Sequence, residues 1–366
     1  MHNSLQVQCF PRRFDTANVM EKEDDLSPAP IIIDADDREL YEHFRFVADK
    51  GQALLRVDKF LVERLQKSSR NRIQNAAEAG CILVNGRVVK SNYRVKPLDV
   101  VQVVMDRPRY DFEVVAQDIP LDIVYEDNDV LVVNKPAGMV VHPGHGNYDC
   151  TLVNALAWHF KDMPDYDVTD PRMGLVHRID KDTSGLLVVA KTPDAKTNLG
   201  KQFFEKTTRR QYLAVVWGVP SPSKGTVVGN VGRDIRDRLK MAVFPPDSDM
   251  GKHAVTHYEV LETFGPTSLV RCVLETGRTH QIRVHMAHIG HPLFNDERYG
   301  GDKILRGERT GTYKRFIENC FALCPRQALH AQTLGFRHPS TGEEMDFTSE
   351  LPLDMTALIG KFRNKG

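Results

Sequence analysis

Long apolar runs are missing from this 366-residue chain. No stretch reaches the roughly 18 consecutive apolar residues that a membrane-spanning helix needs, so no membrane protein is expected. The N-terminal segment carries Pro11-Arg12-Arg13 and no apolar stretch of signal-peptide length, which predicts a protein that is not secreted. Cysteine is sparse and scattered, at Cys9, Cys81, Cys150, Cys272, Cys320 and Cys324, with no CxxC pair. That excludes a disulfide framework and fits a reducing, cytoplasmic setting. HExxH, GxGxxG and the Walker loop are absent, and so are the usual signs of zinc peptidases, dinucleotide binders and P-loop NTPases. No fixed-period repeat is visible. Net charge is absent too: 49 basic residues balance 49 acidic ones, which argues against a wholly basic coat for nucleic acid.

The charge is nevertheless unevenly placed. Residues 1–50 hold 6 basic and 11 acidic side chains, residues 51–110 hold 12 and 5, and the remainder holds 31 and 33. A local excess of seven positive charges is the footprint of a polyanion binder or of a solvated face, and charge alone does not separate the two. At roughly 100–200 residues per domain the length predicts about two domains. Residues 1–44 read as an acidic, flexible tail with charge runs and Ser27-Pro28-Ala29-Pro30. Residues 45–108 read as a compact module. Val57, Phe60, Leu61 and Leu65 recur at helical spacing, Ser68-Ser69 can cap a second helix, and Asn85-Gly86 is a hairpin signal. Residues 115–362 mix apolar strands (Val130–Val133, Leu186–Ala190, Leu213–Trp217, Ser268–Leu274) with helical stretches and no regular βαβ alternation. The expected fold class is α+β with a mixed, largely antiparallel sheet.

Chemistry-bearing residues concentrate in a few segments. In Gly174–Ala190 a polar loop carrying His177, Arg178, Asp180, Lys181, Asp182, Thr183 and Ser184 is pinned between apolar runs, as active-site loops often are. Asp182 and Thr183 read as turn-capping residues; composition alone leaves Asp180 open between turn and catalysis. In Glu275–His285, Arg278, His280 and Arg283 follow Gly277 at what can be a helix start, and an arginine beside a carboxylate favours its charged form. Tyr212 begins an apolar strand, where an aromatic can stack on a base, take part in proton transfer, or simply be half buried. Asn134–Pro143 is a strand followed by a tight turn expected to shape a pocket wall. The histidines at 177, 280, 285, 288 and 291 suggest a metal site but lack carboxylate partners at ligand spacing. His288-Ile289-Gly290-His291 spells a nucleotide-binding tetrapeptide of class I aminoacyl-tRNA synthetases, out of place and without its partner motif.

Taken in order, these segments resemble the RluA/RluD family of RNA pseudouridine synthases over about residues 50–360. His-Arg-Ile-Asp-Lys-Asp-Thr-Ser-Gly (177–185) is similar to the family's HRLDxxTSG motif. It arrives with Lys-Pro-Ala-Gly (135–138), the Tyr212 strand, Thr-Gly-Arg-Thr-His-Gln-Ile-Arg (276–283), Gly-His-Pro (290–292) and Leu-His-Ala (329–331), followed by Phe336, His338 and Pro339. The module resembles the alpha-L RNA-binding module through Arg56-Val-Asp-Lys-Phe-Leu61, Ser69-Arg70, Ile73-Gln74 and Val84-Asn-Gly86.

The resemblance implies isomerisation of uridine in RNA, most of all in large-subunit ribosomal RNA, with no metal or cofactor. Asp180 matches the essential aspartate, as nucleophile or as base toward the sugar. Tyr212 matches the active-site tyrosine, Arg283 the basic partner, and Arg178 the arginine used around the flipped nucleotide. His177, Thr183, Arg278 and His280 are expected at the substrate, and Arg56, Lys59, Ser69, Arg70 and Asn85 at RNA in the module. A monomer bound to RNA is the expected state. A transfer RNA target and a non-catalytic assembly factor are the alternatives. The chain departs from the pattern at Ile179 for leucine, and at Asn295-Asp296 and Leu98-Asp99, where the family has Gly-Asp.

Overall fold

The computed structural model describes residues 32–33, 39–65, 68–105, 114–144, 147–163, 172–237 and 240–364. Two compact units divide the chain, residues 1–112 and 113–366.

In the first unit, helices Val57–Arg64 and Arg70–Glu78 share one core with a sheet. The sheet runs in the order Ile32–Ile33, Glu39–Val47, Val100–Met105, Ile82–Val84, Arg87–Val88. Val57, Phe60, Leu61, Ile73 and Ala77 supply the helical side of that core, and Ile82, Val84, Val101 and Val103 the sheet side. Ser69 caps the second helix by accepting the Arg72 amide at 3.3 Å. Asn85 and Gly86 both take left-handed angles, as a two-residue hairpin turn requires.

The structure corrects the expected tail. Glu39–Val47 is a strand paired with Val100–Met105, with Phe46 opposite Val101. Phe46 packs against the core, and the pairing satisfies backbone groups that an open edge would expose. The module therefore begins before residue 45. Residues 1–31 and 34–38 of that tail lie outside the described residues.

The second unit is built on a ten-stranded sheet. From one edge it runs Met241–Phe244, Lys224–Arg233, Lys252–Thr263, Thr267–Leu274, Arg209–Trp217, Leu329–Arg337, Ser184–Ala190, Val130–Lys135 and Ile123–Glu126, with Glu344–Thr348 also on Leu329–Arg337. All pairs are antiparallel except Ser184–Ala190 with Leu329–Arg337.

The continuous apolar runs have a physical reason, because both faces of the sheet centre are covered. Leu131, Val133, Leu187 and Val189 point into one cluster, while Val130, Val132, Leu186 and Val188 point into the other. Tyr212, Ala214 and Val216 are divided from Leu213, Val215 and Trp217 in the same way.

Candidate active site

The segment before strand Ser184–Ala190 holds Asp180 in a tight turn, closed by the Thr183 amide donating to the Asp180 carbonyl at 3.2 Å. Two buried cations brace this turn. The Lys135 ammonium donates to the carbonyls of Pro136, Met139 and Lys181 at 2.7, 2.8 and 2.9 Å. Arg326 donates to the Asp182 carbonyl at 2.9 Å and pairs with Asp354 at 2.6 and 3.0 Å. Burial pushes the Lys135 ammonium down to about 7, against the pull of Asp182. Its segment thus braces the loop, and farther along Val141 and His142 line the cavity, as the pocket wall expected from sequence. Downstream, Gly185 has φ of 118°, and a Cβ there would lie 2.2 Å from the Ala331 carbonyl oxygen, so only glycine lets the parallel strands meet.

Arg283 reaches the same point from helix Gln281–His288. A buried turn launches this helix. Gln281 donates to the Val255 carbonyl at 2.9 Å and accepts from the Thr276 hydroxyl and the Arg278 amide at 2.7 and 3.0 Å. His280 is the N-cap residue in the left-handed region, and Arg278 lies outside the helix. The Arg283 guanidinium grips Asp296 through Nε and Nη2 at 2.7 and 2.8 Å and donates from Nη1 to Asp180 Oδ2 at 3.1 Å. Burial opposes its charge, but Asp296 and Asp180 outweigh burial and raise its pKa above the ordinary arginine value. One buried arginine is therefore fixed by an inner carboxylate and presents its remaining edge to an outer one.

Asp296 is itself placed by Asn295, whose φ of 57° is the left-handed conformation that a glycine would take. Asparagine tolerates it, and its amide donates to the carbonyls of Phe321 and Cys324 at 3.2 and 2.7 Å. The departure from Gly-Asp thus keeps the loop.

A cavity of about 570 Å³ opens over Asp180. Tyr212 lines it from strand Arg209–Trp217, and burial raises its phenol pKa, so it is a neutral phenol at physiological pH. The Nε2 of His280 lies 4.0 Å from Asp180, and its Nδ1 is 3.0 Å from the Tyr299 hydroxyl. Burial pushes His280 down to about 4, so it is neutral near pH 7. A pocket that pairs one carboxylate with a fixed cation, beside a neutral aromatic hydroxyl, suits acid–base or nucleophilic work on a planar ring.

Residues 129–288 match the RNA pseudouridylate synthase family, and residues 55–101 match the S4 domain. An uncharacterized RNA pseudouridine synthase of Chlorobaculum parvum is 46% identical over 318 residues, covering 86% of this chain and 96% of that one. The chain belongs to the RNA pseudouridine synthase family. A ribosomal large subunit pseudouridine synthase D of Zymomonas mobilis is 44% identical over 308 residues, covering 83% of this chain and 92% of that one. Among solved structures, human RNA Pseudouridylate Synthase Domain Containing 4 has a TM-score of 0.51 at 25% identity, over 66% of this chain and 92% of that one. The protein is thus an RNA pseudouridine synthase with an S4 domain, and the α+β fold expected from sequence is the family's.

In this synthase the pocket gathers Asp180, Tyr212, Arg283, His177, Arg178, Thr183, Arg278 and His280. Arg178 is exposed at its edge. Thr183 is buried, near the Gln327 amide at 3.5 Å. His177 serves the fold first: its Nε2 accepts the Val188 amide at 3.0 Å, its ring stacks on Phe203, and burial holds it down to about 3.

In the S4 domain, Lys59 is exposed, while Arg56 and Arg70 both donate to buried Asp58 at 3.0–3.1 Å. Asn85, exposed at the hairpin, also has a structural task. Its amide donates to Asp99 and its oxygen accepts the Val100 amide, both at 2.8 Å, so the side chain closes the hairpin.

Sequence reasoning missed Lys135, Asp296, Tyr299 and Arg326 as parts of the site. Lys135 and Asp296 sit in quoted motifs, but their partners are far along the chain. Tyr299 and Arg326 carry no local signal. The histidines expected to tempt a metal go to separate tasks, His285 to Thr256 and His291 to the Trp217 carbonyl. The His288–His291 tetrapeptide ends a helix, with Gly290 left-handed.

Proposed function

We propose that this synthase converts uridines of large-subunit ribosomal RNA, with Asp180 as the reacting carboxylate. The observation that carries the reading is the Asp180–Arg283–Asp296 arrangement opening onto a cavity lined by Tyr212. The target uridine leaves its stack and enters this cavity, at a cost of roughly a few kcal/mol. The N1–C1′ bond breaks, the uracil turns, and C5 bonds to C1′. The C5 proton is lost and N1 gains one, so the reaction balances without redox chemistry. Asp180 acts at the sugar, Arg283 holds its carboxylate in place, and Tyr212 stacks on the uracil. Arg178, exposed at the rim, fills the gap in the RNA. The S4 domain supplies further contact through Lys59, Arg56 and Arg70. Relatives named for the large ribosomal subunit support that target. Bacterial relatives named for the large ribosomal subunit support a cytoplasmic setting.

The test is pseudouridine mapping of ribosomal and transfer RNA in a strain lacking this gene, rescued by wild type or by Asp180→Asn. Ribosomal sites that are lost and restored by wild type alone are expected. Rescue by Asp180→Asn would sink the role of the carboxylate, and loss confined to transfer RNA would sink the substrate.

A further inference from the structure

Three arginines of the described residues are buried to 9% exposure or less: Arg210, Arg283 and Arg326. Two are saturated. Arg283 is held between Asp296 and Asp180, and Arg326 between Asp354 and a set of carbonyls. Arg210 is different. It is 7% exposed, its Nε has no hydrogen-bond partner, and no carboxylate pairs with it among the described residues. The Phe203 ring centroid lies 5.3 Å from its Cζ. A buried guanidinium is normally paired, because desolvating an unpaired charge is expensive. Here burial lowers its pKa, with no carboxylate offsetting the effect.

Two further observations give this cation a purpose. First, it lines the cavity described above, two residues before Tyr212 on the same strand. The adjacent Arg209 instead pairs with Glu344 and Asp346, at roughly half exposure. Second, Gly277 leaves it room: a Cβ at that position would stand 2.7 Å from Arg210 Nη1. The cavity's charge balance points to the ligand. Arg178, Arg210 and Arg278 line it, while Asp180, its one carboxylate among the described residues, is already engaged by Arg283. A neutral base would leave that excess uncompensated, whereas a phosphodiester would neutralise part of it.

We propose that Arg210 is a phosphate-binding residue that receives a backbone phosphodiester beside the flipped uridine. The inference rests on the RNA reading above and names a subsite within it. Arg210 is then a charge kept unpaired in the free protein so that the RNA backbone can complete it.

The test compares the full-length protein with Arg210→Met and Arg210→Lys. The probes are a decauridylate RNA and a transcript of large-subunit ribosomal RNA, titrated over a range of salt. Arg210→Met should melt no lower than wild type, since it removes an unpaired buried charge. Its affinity should fall about tenfold, the lower end for a charge-assisted hydrogen bond. The slope of log affinity against log salt should flatten by about 0.7, the single-strand value for one phosphate contact. Arg210→Lys, which keeps the charge, should keep the slope. A lost affinity with an unchanged slope would assign Arg210 to a base carbonyl and overturn the proposal. Lower melting with unchanged affinity would make it a structural residue and overturn it too. Because these readouts are binding and melting, they stand or fall separately from the pseudouridine map.

Discussion

The two units contain ion clusters of opposite design. In the S4 domain a buried aspartate, Asp58, gathers Arg56, Arg70 and Gln74 around its carboxylate. The acid is hidden and the arginines remain 38% and 50% exposed. In the synthase unit a buried arginine, Arg283, gathers Asp296 and Asp180, and the outer carboxylate faces the cavity. Each cluster buries one charge to hold the opposite charge at a surface. The first presents cations, which suits a polyanion, and the second presents a carboxylate, which suits covalent or proton chemistry. The cost differs as well. Asp58 keeps partners in contact with water, where ion pairs contribute little. Arg283 and Asp296 are both desolvated, so breaking that pair strands a charge.

The largest expected effect follows from that difference. Asp296→Asn removes the inner anchor of Arg283 and should destabilise the synthase unit by about 3–5 kcal/mol. Turnover should fall further than the folded fraction explains, because Arg283 then no longer holds Asp180. Denaturant unfolding alongside single-turnover kinetics checks both. Wild-type turnover in the folded fraction would show that Asp296 is dispensable to the geometry.

Acid separates the units next. Burial pushes His285 and His330 down to about 4, as it does His280, and His177 to about 3, from an ordinary 6.5. Each binds fewer protons folded than unfolded between pH 6.5 and its folded pKa. Stability is complete above 6.5 and is lost as the pH falls through that window. His285 and His330, essentially inaccessible, should each contribute on the order of 3 kcal/mol to that loss. In the S4 domain, burial raises the Asp58 pKa, but hydrogen bonds from Arg56, Gln74 and Arg70 outweigh it and bring the carboxyl to about 2. Its contribution is complete above about 3.8 and is lost only as the pH falls toward 2. Both tryptophans, Trp158 and Trp217, lie in the synthase unit. Their fluorescence should therefore change at a higher pH than amide protection is lost at Ile82–Val84. The reverse order would break the contrast.

Asp58→Asn should cost the S4 domain about 1–2 kcal/mol, less than Asp296→Asn because its arginines return to water. Amide exchange of Ile82–Val84 reads this, and turnover at saturating RNA should not change. A loss as large as that of Asp296→Asn would mean the two clusters are equally desolvated.

The smallest effect concerns the two positions that depart from Gly-Asp. Leu98 has φ of 68° and is 59% exposed, so it carries backbone strain with little packing in return. Leu98→Gly should stabilise the S4 domain by about 1 kcal/mol. Asn295 occupies the same region but spends its amide on two carbonyls, so Asn295→Gly should stabilise nothing. Equal gains at both positions would show that these hydrogen bonds contribute no net stability.

Much of the fold was legible in sequence for local reasons. The Asn85-Gly86 turn, the Ser69 cap and the apolar strands each declare themselves within a few residues. Glu39–Val47 was misjudged because its acidic surroundings looked like tail, while its pairing partner lies at Val100–Met105. The site was legible as a set of residues, through ordered motifs, and much less so as an arrangement. Asp180 and Arg283 meet across 103 residues, Lys135 reaches Lys181 across 46, and Arg326 reaches Asp182 across 144.

By itself, the sequence determined which chemical groups the chain has, which sit on rigid strands, and which family pattern they follow. Only the tertiary structure decided which charges are paired, braced or left unpaired. Arg209, Arg210, Arg283 and Arg326 are alike as residues. Their roles diverge because burial and distant partners set the energy of a charge, and neither leaves a periodic trace in the chain.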